Sequence, residues 1–236
     1  MLLQVSDLEA GYGNKQVIHG VSLEVGEREI VAVLGHNGAG KSSLMSAIFG
    51  AIEPTAGKII FAGRDVTKLR PSEKVDAGMG YAPQGGESFR SLSVIDNLTL
   101  GGYALKDQRQ IPERIAQVQE LFPALHARRN SRAGSLSGGE RQMLSLGALL
   151  VAAPRLVILD EPSGGLSPIM VDKMYEAIRG VAEKLDASVL LVEQEANHAL
   201  EIAHRAYVLA NGRVTFKGAA KELAGSPELG NLLLGF

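Results

Sequence analysis

The 236-residue chain has no cysteine, no tryptophan and few aromatic residues of any kind. Without cysteine there can be no disulfide and no thiolate-held metal, and the composition suits a reducing compartment. No segment approaches the roughly 18 uncharged apolar residues that a membrane-spanning helix needs. The longest apolar runs, such as "LVIL" at 156–159, are strand-sized. The opening "MLLQVSDLEAGYG" lacks the basic start and apolar run of a secretory signal. Excess positive charge is missing too: 24 Lys and Arg face 26 Asp and Glu, which gives no argument for nucleic acid. What is abundant is core material, 45% hydrophobic residues, and glycine, at 28 positions. These predict a soluble, cytoplasmic chain with one large domain and room for an inserted subdomain.

The hydrophobic pattern alternates strands with helices. Leu3, Val5 and Leu8 fall on or near one face of a first strand, and "QVIHGVSLEV" repeats the alternation after a "GYGN" turn. "EIVAVLG" is apolar almost throughout and runs straight into a glycine loop and the helix "KSSLMSAIFG", as a buried parallel strand does. "GKIIFAG" and "GMGYAPQ" read as further short strands. From about residue 88 to 150 no strand is convincing. There Ser93 is placed as an N-cap with Asp96 three residues on, and Ile111, Ile115, Val118 and Leu121 share one helical face. Beyond this helical block come "RLVILDEP", a helix from Ser167–Pro168 through about Lys184, and the strand "SVLLVEQ". A hairpin turning at Asn211-Gly212 follows, then a tail, 219–236, read as a helix and a loose end. The expected class is α/β: a P-loop ATPase core with a mostly parallel sheet, a small antiparallel β subdomain at the N-terminus and an inserted helical subdomain. Residues 1–87 and 151–236 would form the core and 88–150 the insertion.

Two glycine loops carry chemistry. Gly35-His36-Asn37-Gly38-Ala39-Gly40-Lys41-Ser42 matches G-x-x-x-x-G-K-[ST], with a buried strand before it and a helix after it. Backbone N–H groups of such a loop and the helix N-terminus, reached through Ser43, surround β- and γ-phosphates. Lys41 supplies a point charge, and the Ser42 hydroxyl a ligand for Mg²⁺. His36 occupies a variable position of the motif and is assigned no chemistry. In "LVILDEP" the apolar strand ends in Asp160-Glu161, where α/β proteins build sites. Asp160 is the second anchor for Mg²⁺, and Glu161 is placed to orient or deprotonate an attacking water. The second loop, Ser137-Gly138-Gly139, opens the helix "ERQMLSLGALL" and on composition alone reads first as an N-capped helix without a ligand and only second as another phosphate seat.

"LSGGERQ" lying between "GHNGAGKSS" and "LVILDEP" resembles the signature sequence of ABC-type ATPases, and the order of motifs runs over nearly the whole chain. The resemblance implies two subunits packed head to tail, each ATP held between one chain's phosphate loop and the other chain's Ser137-Gly138-Gly139. It also implies that Tyr12 stacks on adenine, that Gln84 touches Mg²⁺ and relays to a membrane partner, and that the helical block grips a transmembrane subunit. Gly164–Ser167 matches a loop that crosses the dimer interface, with Ser167 where the family usually has aspartate. Gln194 stands where most members place a histidine that contacts the γ-phosphate; glutamine donates a hydrogen bond there but carries no proton or charge. His198 and His204 are read as surface residues of the following helix.

"VEQ", "EPSGGLSP" and "AGYGNKQVIHGVSLEV" are similar to the smaller ATPase subunit of branched-chain amino-acid importers, which pair two different ATPases. The implied partners are therefore a second ABC ATPase (or a second copy of this chain), transmembrane permease subunits and, indirectly, a periplasmic solute-binding protein. The implied place is peripheral, on the cytoplasmic face of the inner membrane. Gln84 and Glu195 depart from many such subunits, and the retained Gln84 leans toward relatives that import urea or short amides. A lipopolysaccharide-type exporter ATPase shares length and motifs, but Gln194 argues against it. A soluble ABC ATPase lacks support, since neither a long coiled coil nor a second cassette is present. An inactive nucleotide-binding scaffold is favoured by Gln194 and opposed by Glu161.

Overall fold

The computed structural model describes residues 1–226 and Gly230. In chain order it contains β1 (Leu3–Tyr12), β2 (Lys15–Val25), β3 (Ile30–Leu34), α1 (Lys41–Phe49), β4 (Ala56–Phe61), β5 (Arg64–Asp65), α2 (Pro71–Asp76) and β6 (Met79–Ala82). Four helices follow without a strand: α3 (Val94–Gly101), α4 (Ile111–Leu121), α5 (Pro123–Ala127) and α6 (Gly138–Val151). The chain then returns to alternation with β7 (Leu156–Asp160), α7 (Pro168–Lys184), β8 (Ser188–Glu193), α8 (Ala196–Ile202), β9 (Arg205–Ala210), β10 (Arg213–Ala219) and α9 (Ala220–Ala224). Of the tail read as a helix and a loose end, α9 is present; residues 227–229 and 231–236 lie outside the described residues.

The strands form two sheets. One is antiparallel, in the order β2-β1-β4-β5; the other runs β10-β9-β3-β8-β7-β6, parallel except for the β9–β10 hairpin. β8, late in sequence, is inserted between β3 and β7. The carboxyl ends of these three neighbours are therefore side by side, and they carry the phosphate loop, Gln194 and Asp160-Glu161 respectively. The alternate faces of the parallel strands explain their continuous apolar sequence. Val31, Val33, Ile158, Leu190 and Val192 face one core with α1 and the antiparallel sheet. Ile30, Ala32, Leu34, Val157, Leu159, Val189 and Leu191 face the other, with α3 to α8. Each fully buried Leu or Ile stabilises this stack by ~1.5–3 kcal/mol.

Local irregularities have identifiable causes. Leu3 and Val5 alternate on odd numbers, while the buried Leu8 and Ala10 fall on even ones; the phase changes at a bulge where the β1–β2 register slips and Asp7 takes φ 45°. The hairpin turn has Asn211 and Gly212 both at positive φ, 48° and 71°, as a type I′ turn requires. Ser93 caps α3 with Asp96 reciprocating. The helical run from Ile111 breaks at Phe122, where Pro123 lacks the N–H needed to continue and begins α5. α2 was not expected from the pattern, its six residues being too few to show a period. His204 lies past the end of α8, not on it, and its Nδ1 accepts from the Ile30 N–H at 3.1 Å.

Lys74 of α2 is fully buried, with its ammonium donating to the Ile48 carbonyl at 2.7 Å, at the C-terminal end of α1. The helix dipole favours a cation there, yet burial lowers the Lys74 pKa to about 8. The unfolded chain thus binds more protons than the folded one between pH 8 and the ordinary lysine pKa, so stability rises with pH across that interval. Chemical denaturation at pH 7.5 and 10.5 should show wild type gaining up to ~3 kcal/mol over Lys74→Met. Parallel pH curves for the two proteins would sink this assignment.

Candidate functional site

The loop between β3 and α1 is shaped by glycine and by its neighbours. A Cβ on Gly35 would stand 2.2 Å from the Leu209 carbonyl oxygen, so only glycine lets the loop leave β3 this close to β9. Gly38 and Gly40 take φ 83° and 104°, conformations that cost other residues ~1–2 kcal/mol. The Asn211-Gly212 turn lies under the loop: the Gly212 N–H donates to the Ala39 carbonyl at 2.9 Å. α1 then begins with no side-chain cap and no acidic residue in its first turn. The Ala39 N–H is taken by the His36 carbonyl at 3.1 Å, while the N–H groups at the start of α1 lack a capping side chain and are left for an external anion.

Lys41 is 4% exposed, and its ammonium donates to the carbonyls of Gly35 (2.9 Å) and His36 (3.2 Å). Its counter-charge is Glu161, whose Oε1 lies 3.4 Å away. Glu161 adopts φ 48° and is held through its own N–H to the Val192 carbonyl at 2.9 Å, so its turn is tied to β8. The Gln84 side-chain amide donates to Glu161 Oε2 at 2.8 Å. One residue earlier, Asp160 accepts from the Ser42 hydroxyl at 3.1 Å and the Tyr81 hydroxyl at 3.3 Å. Burial raises the Asp160 pKa, offset in part by the Ser42 and Tyr81 hydrogen bonds and by Lys41. Burial also holds the Tyr81 phenol up, to about 12, and the Asp160 charge adds to this.

Lys41, Ser42, Gln84 and Glu161 open on one cleft of about 600 Å³, and Asp160 lies buried behind Ser42. Asn37, Gly38, Gly40, Lys41, Ser42 and Ser43 line one wall, and Gln84, Glu161 and Gln194 the other. The expected adenine contact and the second glycine loop, four residues in all, lie elsewhere. Tyr12 stands 58% exposed at the end of β1, while Val17 lines the cleft instead. Ser137, Gly138 and Gly139 are likewise outside it. Gly138 borders a second cleft with residues 85–90 and Gly164–Leu166. There Ser137 caps α6, its hydroxyl accepting from the Glu140 N–H at 3.2 Å while Glu140 accepts from the Ser137 N–H at 2.8 Å.

Several contributors had no sequence signal of their own. Tyr81 was legible only as a strand residue. Gln142, inside α6, reaches the Pro162 carbonyl and joins the second glycine loop's helix to the turn after Glu161. Glu193, 2% exposed, was passed over beside Gln194.

The donors present fit a nucleotide phosphate with its cation. The loop offers unclaimed N–H groups and a buried ammonium, and Ser42 Oγ, Asp160 and the Gln84 amide oxygen make an all-oxygen set of the kind Mg²⁺ takes together with substrate phosphates. Among the described residues no cluster of three His, Cys, Asp or Glu could hold a metal ion without such help.

Comparison with known proteins agrees. Residues 18–164 match the family model described as ABC transporter. The chain belongs to the ABC transporter family. It is an ATP-binding cassette, the nucleotide-binding ATPase component of that family. The "High-affinity branched-chain amino acid transport ATP-binding protein BraG" of Pseudomonas aeruginosa is 39% identical, over 99% of this chain and 100% of that protein. The "Probable branched-chain amino acid transport ATP-binding protein LivF" of Archaeoglobus fulgidus is 36% identical over 99% of both. A "Lipopolysaccharide export system ATP-binding protein LptB" from Escherichia coli K12 is more distant, 32% identical over 99% of this chain and 97% of its own length. In fold the chain resembles the crystal structure of the ADP conformation of MJ1267, "an ATP-binding cassette of an ABC transporter" (TM-score 0.86, 22% identity, 98% and 97% covered). Among the described residues no helix is long and apolar enough to cross a membrane.

The loop's glycines differ in what they tolerate. Gly35→Ala should destabilise the cassette by ~1–3 kcal/mol through the clash with Leu209, seen as an earlier denaturation midpoint. Gly38→Ala meets open space and should cost only ~1–2 kcal/mol of backbone strain. Equal midpoints for Gly35→Ala and wild type would refute the close-approach account.

Proposed function

We propose that this cassette powers a bacterial importer by hydrolysing ATP, with a branched-chain amino acid as solute. The observation that carries the ATPase reading is the convergence of Lys41, Ser42, Glu161, Gln84 and Gln194 on one cleft from three adjacent strand ends and the loop after β6, with Asp160 bonded to Ser42 behind it. The solute rests on the similarity to BraG and LivF, both named for branched-chain amino acids.

In this reading the loop N–H groups and Lys41 bind the β- and γ-phosphates. Ser42, Asp160 and Gln84 would hold Mg²⁺, which when bound neutralises charge on the phosphates. Binding has a local consequence: the γ-phosphate competes with Glu161 for Lys41, releasing the carboxylate to face the attacking water. Glu161 then accepts the water's proton, while the amide of Gln194 donates a hydrogen bond toward the γ-phosphate without supplying charge. Tyr12 would lie against the adenine.

Ser137, Gly138 and Gly139 would contact the nucleotide of a second cassette, either a different ATPase or another copy of this chain. This reading is supported by the exposure of Ser137 and Gly138 and by the absence of all three from the lining of the Lys41 cleft. Residues 88–150 would form the insertion that grips transmembrane permease subunits, residues 1–87 and 151–236 the core. A periplasmic solute-binding protein would deliver the solute, and nucleic acid would have no part. The cassette would be peripheral, on the cytoplasmic face of the plasma membrane. A second reading, import of urea or a short amide, is favoured by Gln84, where many branched-chain importers differ.

Phosphate release by the purified chain should fall by ~10²–10⁴-fold in Glu161→Gln, with nucleotide binding retained; full turnover in that variant would remove Glu161 from its role. Gln194→His should match or exceed wild-type turnover, and loss of activity would assign glutamine a role of its own. Purification from native membranes should recover a second cassette and two multispanning proteins. Recovery from the soluble fraction, alone, would exclude the transport reading.

A further inference from the structure

Behind the cleft sits a buried carboxylate that the reaction does not use. Glu193 ends β8, is 2% exposed, and forms no ion pair among the described residues. Its Oε1 accepts twice from Ser163, from the hydroxyl at 2.7 Å and from the backbone N–H at 3.2 Å. The backbone N–H of Gln194 interacts with the same carboxylate. Tyr175 of α7 lies buried beside it, and the Tyr175 ring stacks on His198 of α8 with centroids 5.3 Å apart. Burial raises the pKa of both Glu193 and the Tyr175 phenol.

A carboxylate is costly in such a place, and a hydrophobic residue would pack at less expense. Its position accounts for it. Ser163 lies two residues past Glu161, and Gln194 follows Glu193 directly. The turn after Glu161 is short and self-bonded: Gly164 N–H donates to the Glu161 carbonyl at 3.1 Å, and Glu161 N–H to the Val192 carbonyl at 2.9 Å. Without Glu193 only that last bond would tie the turn to β8 among these contacts. With it, residues on both sides of the terminal-phosphate seat are fastened to one group.

Building on the ATPase reading above, we propose that Glu193 is a positioning residue that ties the Glu161–Ser167 turn to Gln194 through Ser163, so that the carboxylate facing the water and the amide facing the γ-phosphate keep one spacing. The same tie fixes the segment Gly164–Ser167, which that reading puts against the second cassette. A positioning role predicts loss of turnover rather than of nucleotide affinity, because Lys41 and the loop N–H groups are untouched.

The test is Ser163→Ala beside Ser163→Thr, which keeps the hydroxyl. In Ser163→Ala, kcat should fall about 10- to 100-fold, the effect of losing one hydrogen bond to a charged acceptor. KM for ATP should stay close to wild type, the thermal midpoint should fall by only a few degrees, and Ser163→Thr should recover most of the rate. Amide exchange across residues 161–167, measured without nucleotide, should quicken in Ser163→Ala and not in Ser163→Thr. Unchanged kcat and exchange in Ser163→Ala would overturn the proposal, as would a kcat loss that tracks a fall in thermal midpoint and is not restored by threonine. Absence of turnover in wild type would count against the ATPase reading alone, since the exchange measurement still decides the tie.

Discussion

The arrangement depends on one buried ammonium. Lys41 is almost wholly excluded from solvent, and an unpaired charge in that position would cost several kcal/mol. Two carbonyls of its own loop satisfy part of its donor capacity, but they carry no net charge, so the balance comes from Glu161, 120 residues away in sequence. That pairing dictates topology. The strand leading to Lys41 and the strand leading to Glu161 must end at the same edge, and both must be buried enough for the pair to matter. A parallel sheet with helices or a second sheet on its two faces does this. Insertion of β8 between β3 and β7 then brings Gln194 to the same edge.

The two cores follow from the same sheet. A parallel strand alternates its side chains, so five consecutive apolar residues in β3 feed both faces. On one face, α1 lies between the parallel sheet and the antiparallel sheet, which fixes the direction in which the phosphate loop enters its helix. On the other, α6 and α7 connect the helical block to the strands, and Gln142 of α6 reaches the turn after Glu161.

The α/β class, the helical stretch, the hairpin and the cleft walls were legible in sequence because each has a local signature: a glycine loop, an apolar run ending in acids, an Asn-Gly turn. What was not legible depends on pairing between distant strands. Nothing near Val5 announces that the alternation changes phase at Asp7; the bulge exists because Leu8 must face the core on a strand paired on both sides. Tyr81 becomes an Asp160 ligand only because β6 pairs with β7. Glu193 was overshadowed by its neighbour Gln194, and a lone acid within "LLVEQ" reads as the polar end of a strand. Lys74 in "PSEKVD" reads as solvated until α2 is seen under α1.

The two glycine loops, so alike in sequence, are opposite in electrostatic state. α1 begins at a left-handed glycine with no capping side chain and no acid in its first turn, which leaves a concentrated positive end beside a cation. Such an end is unfavourable by itself, and Glu161 compensates it only at the level of Lys41. α6 begins at a serine whose hydroxyl takes one N–H and whose Glu140 carboxylate supplies the negative charge the dipole wants. One loop is therefore an incomplete site that an anion completes, while the other is already satisfied within its own chain. A single cassette has reason to bind nucleotide at the first and none at the second. In the function proposed above, the second loop gains from a phosphate only when one is carried to it, its N–H groups then adding to an anion already held elsewhere. This asymmetry gives a physical reason why one chain would carry both loops and still need a second chain to use them together.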